Sequence, residues 1–154
     1  EIPLRLVGSE MCIRDSDTAT QIGPSTTPPS KAIDVTYTVN PSYTVTIPAN
    51  ITLNTAAPST ATVTATDVTI PNGQKVRVTL NSKNNFYVIT NEGARGTYTV
   101  KKDNSTTPIS NGATVLEANY GTKSTVLTFE FQKKNVTYSG EYKDTVTFTV
   151  SVGN

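Results

Sequence analysis

Apolar and polar side chains alternate with a period of two along most of the chain between Val35 and Val152. Successive side chains of a β-strand point to opposite faces, so this alternation predicts strands with one apolar face and one face covered by Thr. No stretch places apolar residues at i, i+3, i+4 and i+7 over three turns, so essentially no helix is predicted. The alternating runs are 35–39, 43–47, 60–70, 75–80, 86–90, 97–101, 114–118, 125–131 and 141–152.

Residues that favour turns separate these runs. In Pro71-Asn72-Gly73, Pro presets φ for a turn while Asn and Gly tolerate positive φ, and Asn111-Gly112 is a second signal of this kind. About nine short strands joined by such turns predict an all-β protein, a two-layer antiparallel β-sandwich.

The third run changes parity at Asp67. Before it, Val63 and Ala65 occupy the predicted inward positions, whereas after it the apolar positions are Val68 and Ile70. A change of parity inside one strand predicts a β-bulge or a strand that passes from one sheet to the other.

The first 34 residues differ from the rest in composition. Residues 1–16 hold the only Cys, Cys12, and resemble translated sequencing-adapter read-through; we interpret them as non-native and expect the true N-terminus, with any signal peptide, to be missing. Residues 17–34 are rich in Ser, Thr and Pro, which predicts a flexible linker or, alternatively, a mucin-like stalk. The β-sandwich domain is therefore predicted to span 35–154.

Charge and composition exclude several classes of function. Thirteen basic residues against twelve acidic ones leave no basic excess for nucleic acid, and no apolar run approaches the length of a membrane span. The chain has no His, so it lacks the imidazole of a Ser-His-Asp triad and of an ordinary zinc site. We expect no cofactor, no bound metal, no nucleic-acid partner and no membrane insertion.

The segment 138–150, which reads YSGEYKDTVTFTV, resembles the G-x-Y-x-D-T-[VIL]-x-[VF]-x-V ending of several bacterial surface β-sandwiches. These include spore-coat-U-type proteins, chaperone–usher pilins and small secreted sandwich proteins of Gram-positive gut bacteria. The opening Pro41-Ser42-x-Thr44-Val45 is also similar, although the spore-coat-U pattern has Cys at the position of Tyr43. The resemblance therefore fits the cysteine-free Gram-positive type better. It implies a β-sandwich of Ig-like or pilin-like Greek-key topology that acts as an extracellular or cell-surface module without catalytic residues.

Two residues of this segment have predicted structural roles. Gly140 allows a sharp bend before the last strand, and Tyr142 can bury its ring while its hydroxyl bonds across a corner. The aromatic and aliphatic residues predicted to complete the core at this end of the chain are Phe129, Phe131, Phe148 and Val150.

Candidate catalytic residues are sparse. A glycosidase needs two carboxyl groups about 5–10 Å apart in a cleft. Nothing in the spacing brings two acids together, so we expect no enzymatic activity, and Glu130 is predicted to be solvated because its parity opposes that of Phe129 and Phe131. The acidic residues considered are Asp34, Asp67, Asp103, Glu117, Glu130, Glu141 and Asp144.

Two hypotheses concern surface chemistry. Tyr87 and Tyr120, together with Tyr98 and Tyr138, could stack on sugars, which makes a carbohydrate-binding module the alternative function, with host or environmental glycans as partners. A Lys–Asn isopeptide crosslink of the kind found in many Gram-positive adhesin domains would need a buried Lys beside an acid and an Asn. The residue types for it are supplied by Lys75, Lys143, Asn119, Asn135 and Glu117.

The segment Ile33–Val39 supports two interpretations. Val35, Tyr37 and Val39 alternate with Thr, as in a strand, and a loose linker precedes them. They could form the first strand of their own domain, or they could be donated to the sheet edge of a neighbouring subunit. The function expected from the sequence is a non-catalytic structural or adhesive module of a bacterial surface or secreted protein. The specific form that strand donation would give is a fimbrial or filament subunit with other surface subunits as partners.

Overall fold

The structure is a computed structural model that describes residues 23, 30, 32–133 and 136–154. The chain divides into two units, Glu1–Thr38 and Val39–Asn154. In the first unit the described residues form no helix and no strand. All the strands belong to the second unit, and no helix in the described part of the chain is long and apolar enough to cross a membrane.

Within the described residues, eight strands form two antiparallel sheets. The five-stranded sheet has the order β1-β2-β7-β5-β4, and the three-stranded sheet has the order β6-β3-β8. The strands are β1 (Ser42–Thr46), β2 (Ser59–Thr69), β3 (Lys75–Ser82), β4 (Tyr87–Ile89), β5 (Arg95–Lys102), β6 (Ala113–Ala118), β7 (Tyr120–Gln132) and β8 (Val146–Gly153). The predicted all-β, two-layer antiparallel architecture is confirmed.

The core follows directly from the period-two pattern. In β3, Val76, Val78 and Leu80 are fully buried, whereas the intervening residues face outward. In β7, Leu127 and Phe129 are buried by the same alternation. The remaining buried apolar residues are Ala61, Val63, Ala65, Val68, Val88, Tyr98, Val100, Val115, Leu116 and Ala118.

The predicted bulge in β2 is confirmed. The pairing of β2 with β7 shifts register between Ala65 and Val68, and Asp67 has φ of 53°. Ala65 and Val68 are both buried. Because one extra residue is inserted there, the apolar face of β2 stays directed at the core on both sides of the bulge.

The predicted first strand at 35–39 does not form. Val35, Tyr37 and Val39 lie outside any strand and are exposed rather than inward-facing. Alternation makes a segment compatible with a sheet edge, but a strand forms only where a neighbouring strand supplies hydrogen bonds. The count of strands is therefore eight instead of about nine.

The last strand begins later than predicted, at Val146 instead of residue 141. The reason is a change of sheet. Lys143 exchanges backbone hydrogen bonds of 2.9 and 3.1 Å with Ile89 of β4, in the five-stranded sheet. From Val146 onward the chain pairs with β3 in the other sheet. Residues 143–146 thus carry the chain across the sandwich.

Candidate functional site

The free side of β8 is the most distinctive surface of the sandwich, and we call it the open edge. β8 pairs with β3 on one side, and no strand in the described part of the chain pairs with its other side. Val150 and Val152 lie opposite Val78 and Val76, which are fully buried, yet they are 38% and 39% exposed. The apolar interior is therefore incompletely covered along the open edge.

The unequal width of the two sheets explains this exposure. At about 4.8 Å between strands, five strands span about 19 Å and three strands only about 10 Å. The narrower sheet leaves part of the inner face of the wider one without a β-strand over it. Partly buried loop residues that pack against the core, among them Ile51, Leu53 and Ile109, supply some of the missing cover.

Apolar side chains at β1, an edge strand of the wider sheet, are also incompletely covered. Val45 lies opposite the buried Ala65, which fixes the core-facing side of β1. Tyr43 and Ile47 flank Val45 at the same parity and are 42% and 45% exposed. Apolar side chains directed toward the interior thus remain in contact with water at an edge of each sheet.

Residues 33–39, which we call the alternating segment, lie outside the sheets. Val35, Tyr37 and Val39 are 90%, 91% and 59% exposed. Three apolar side chains at i, i+2 and i+4 on one side of an extended segment have the spacing of a strand that fills one face of a sheet. These are the residues for which the sequence suggested strand exchange.

The residues assigned structural roles lie around the last strand. Gly140 has φ of 146°, a backbone conformation that side-chain-bearing residues rarely adopt, and the Tyr142 hydroxyl donates a 2.9 Å hydrogen bond to the Tyr138 carbonyl. Tyr142, Phe131 and Phe148 are partly buried against the core.

Sequence reasoning did not identify the polar cluster centred on Asp144. Its carboxylate accepts hydrogen bonds from the Tyr98 hydroxyl and the Ser82 hydroxyl, both at 2.6 Å, and from the backbone amides of Asn84 (3.1 Å) and Thr145 (2.8 Å). Burial raises the pKa of the Tyr98 hydroxyl, and the hydrogen bond to Asp144 raises it further. The signal available in the sequence was Tyr98 at an inward position, because a buried hydroxyl needs a partner.

The same cluster supports a strained turn between β3 and β4. Asn85 and Phe86 have positive φ of 53° and 64°. The amide of Phe86 donates a 2.6 Å hydrogen bond to the Ser82 hydroxyl, and its ring meets the Tyr98 ring edge-on with the ring centroids 5.6 Å apart. The cluster therefore ties this turn, β5 and the approach to β8 together, which indicates a positioning role.

Tyr87 and Tyr120, two of the tyrosines proposed for sugar stacking, do not come together. Tyr120 is the first residue of β7, whereas Tyr87 pairs with Thr97, which pairs with Gln132 at the other end of β7. Thirteen residues of β7 at about 3.4 Å each place these two positions roughly 40 Å apart. Tyr98 is buried, so it offers no surface to a sugar.

One surface cleft of about 430 Å³ has two acidic residues in its lining, Asp103 and Glu117, along with Lys102 and Lys123. Glu117 accepts hydrogen bonds from Arg77 (2.8 Å) and from Lys75 (3.0 Å), and these lower its pKa to about 2. A carboxyl group held ionised in this way cannot donate a proton near neutral pH, as a glycosidase acid must.

Three further points of the sequence analysis concern a metal site, the isopeptide crosslink and Glu130. Among the described residues no group of three or more Cys, His, Asp or Glu could hold a metal ion. Lys75 reaches Glu117, but both side chains are partly exposed, and Asn135 lies outside the described residues. Glu130, predicted to be solvated, instead forms a 2.8 Å ion pair with Lys101 on the outer face.

Comparisons with known proteins find a similarity of structure but no family. No protein-family model matches the chain, and a search of curated proteins finds no match. Among solved structures, the chain is similar to a chain of the CsuC-CsuE chaperone–tip adhesion subunit pre-assembly complex from archaic chaperone–usher Csu pili of Acinetobacter baumannii, with 19% sequence identity and a TM-score of 0.48. The match covers 73% of this chain and 40% of the other, so this protein corresponds to less than half of that chain.

Proposed function

We propose that this protein is a non-catalytic structural module of a bacterial surface or secreted assembly, a filament subunit that receives a strand from another copy at its open edge. The observation that carries the proposal is the exposure of Val150 and Val152, whose β3 neighbours at the same depth are fully buried. A further strand beside β8 would extend the three-stranded sheet to four, cover these side chains and satisfy the backbone groups of the free edge.

The alternating segment of a second copy is the proposed donor. Its three apolar side chains have the spacing that one face of an added strand requires, and they are exposed in this chain. Its intervening residues, Thr36 and Thr38, would face solvent, as Thr147 and Thr149 do in β8. Donor and acceptor therefore match in chemistry on both faces.

Two further considerations support a structural role. Glu117 is held as an ionised carboxylate, and the Asp144 carboxylate is occupied by four hydrogen bonds that stabilise the fold. Neither of these two carboxylates is therefore arranged as a reactive group. The proposed extracellular location rests on the resemblance of segment 138–150 to bacterial surface sandwiches.

The proposal can be tested with a charge placed on one face of the donor. Tyr37→Arg should weaken self-association at least about tenfold, because a guanidinium cannot replace a buried aromatic ring in an apolar interior. Thr38→Arg adds the same charge to the opposite face of the segment and should leave association unchanged. Sedimentation over a range of concentrations measures both, with hydrogen exchange of β8 amides as a second readout.

A mixing experiment then separates donor from acceptor. Val150→Arg should block the acceptor side, while Ser151→Arg, on the outer face of β8, serves as its control. Chains carrying Tyr37→Arg and chains carrying Val150→Arg should each stay monomeric but pair when mixed, and growth should stop at two. The proposal is wrong if the unmodified protein stays monomeric at all concentrations, or if the two arginine variants of the donor behave alike.

A further inference from the structure

The chain contains two Asn-Gly pairs in exposed turns, and the two pairs differ in their hydrogen bonds. Asn72-Gly73 lies in the turn between β2 and β3, and Asn111-Gly112 lies just before β6; all four residues are exposed. In an Asn-Gly pair the glycine amide nitrogen can attack the Asn side-chain carbonyl, because glycine has no side chain to obstruct the approach. The rate of this reaction depends on whether hydrogen bonds hold the glycine amide and the Asn side chain away from each other.

In the part of the chain that the structure describes, no hydrogen bond holds either reacting group of the first pair. The hydrogen bond that closes this turn runs from the Gln74 amide to the Pro71 carbonyl, at 3.1 Å, and leaves the Gly73 amide and the Asn72 side chain without a partner among the described residues. Gly73 has φ of 86°, and a Cβ built on it would meet no atom within 4 Å. Both reacting groups are therefore in solvent and free to rearrange.

The second pair is held by the backbone of β3 at each reacting group. The Asn111 side chain accepts a 2.7 Å hydrogen bond from the Ser82 amide and donates a 2.9 Å hydrogen bond to the Ser82 carbonyl. The Gly112 amide donates a 2.9 Å hydrogen bond to the Leu80 carbonyl. For the attack to occur, the amide must lose its partner and the side chain must turn away from Ser82.

We propose that Asn72 is a site of spontaneous deamidation and isoaspartate formation, and that the fold protects Asn111 from the same reaction. The Gly73 nitrogen forms a bond to Cγ of Asn72, the bond from Cγ to Nδ2 breaks, and ammonia leaves with the proton of the Gly73 amide. Water then opens the cyclic imide. Cleavage at Cγ gives Asp, and cleavage at the main-chain carbonyl gives isoaspartate.

The modification changes the β2–β3 turn in charge and in length. Either product replaces a neutral amide with a carboxylate close to Lys75, the first residue of β3. Isoaspartate also routes the backbone through the side-chain carbons, which adds one carbon to a turn that a single hydrogen bond closes. Asn72 and Gly73 are not part of the open edge, and this proposal does not rest on the proposed assembly.

The experiment follows both pairs in one sample of the intact chain. The folded protein is incubated at mildly alkaline pH, digested under mildly acidic conditions and analysed by peptide mapping, with enzymatic methylation to count isoaspartate. Residue 72 should convert at least about tenfold faster than residue 111, since releasing one ordinary hydrogen bond costs about fivefold and three hydrogen bonds hold Asn111 and Gly112. Asn72→Asp provides the chromatographic standard for one product, and Asn72→Ser should remove the fast conversion.

A parallel incubation in concentrated urea is the control for local sequence. There the protection of Asn111 should disappear and the two rates should become similar, because the β3 backbone no longer holds Asn111 or Gly112. Equal rates in the folded protein would overturn the proposal. So would a folded-state Asn72 that stays intact while the denatured chain converts, or a rate difference that persists unchanged in urea.

Discussion

At the scale of single residues, Asp144 contributes more to the fold than its position in a polar segment suggests. Two of its four hydrogen-bond donors belong to Tyr98 and Ser82, which are almost completely buried. If the carboxylate were removed, these hydroxyls would be left without an acceptor in a region that water barely reaches. Leaving a buried polar group unpaired costs more than the net gain from an ordinary hydrogen bond.

We therefore expect Asp144→Ala to destabilise the protein by about 2–4 kcal/mol. Glu141→Ala is the matched control in the same segment, because Glu141 makes only an exposed ion pair with Lys143 and its loss should cost less than about 0.5 kcal/mol. Chemical denaturation of both variants measures the difference. A cost for Asp144→Ala no larger than that of the control would contradict the assigned role.

Glu117 predicts a pH dependence of stability with a definite sign. Its pKa in the folded protein lies at about 2, below the ordinary value of 4.5, because Arg77 and Lys75 donate hydrogen bonds to the charged form. A group with a lowered folded-state pKa stabilises the native state above its unfolded pKa, and this contribution is lost as pH falls from about 4.5 to about 2.

The corresponding measurement compares Glu117→Gln with the unmodified protein between pH 7 and pH 2. The difference in unfolding free energy should be present at pH 7, shrink through the acidic window and decrease with added salt, because the carboxylate is partly exposed. A difference that stays constant down to pH 2 would show that the ion pairs do not act through the charge of Glu117.

The residue scale also shows what the sequence could and could not predict. The burial of Phe129 follows from parity alone, since Leu127 and Phe129 share one face of β7. The partners of Asp144 do not follow, because Tyr98 is 46 residues away in sequence and Ser82 is 62 residues away. Alternation reports which face a side chain occupies, but it carries no information about which distant residue lies on that face.

At the scale of elements, the close approach of β5 to β7 depends on Gly96. A Cβ at this position would lie 2.9 Å from the Phe131 ring and 3.2 Å from the Val136 side chain. The strand can therefore accept no side chain here without moving a packed aromatic ring.

Gly96→Ala should consequently destabilise the protein by about 1–3 kcal/mol, the usual cost of overpacking a filled interior. Gly153→Ala, in β8, is the control because its Cβ would meet no atom within 4 Å. Thermal unfolding of the two variants checks the prediction. Equal midpoints would mean that the Phe131 ring moves aside at little cost.

Strand boundaries were predictable where the pattern of apolar residues itself changes, and they failed where only the pairing partner changes. The bulge at Asp67 is visible in the sequence because the parity of apolar residues changes within one strand. The late start of β8 is not, because Tyr142 and Val146 keep the same parity while residues 143–146 pass from β4 to β3. The alternating segment fails for a related reason, since its pattern fits a sheet edge that this chain does not supply.

At the scale of the whole molecule, the order of strands places distant parts of the sequence side by side. β2 pairs with β7 and β3 pairs with β8, so both sheets are built mainly from non-local neighbours. Topologies of this kind close long loops before they gain contacts, which makes folding slow compared with helical proteins of equal size. The sequence predicted two layers but not their unequal widths of five strands and three.

The open edge of the narrower sheet has a consequence for how copies of the protein would join. Under the proposed strand donation, the surface that gives and the surface that receives are different, so a single donated strand makes a head-to-tail contact in which the two copies play different parts. Such a contact leaves one unused donor and one unused acceptor on every pair, and unless the rotation closes a ring it propagates without limit. A fibre grown in this way would have two chemically distinct ends, and a molecule that occupies the terminal acceptor would stop elongation at that end only.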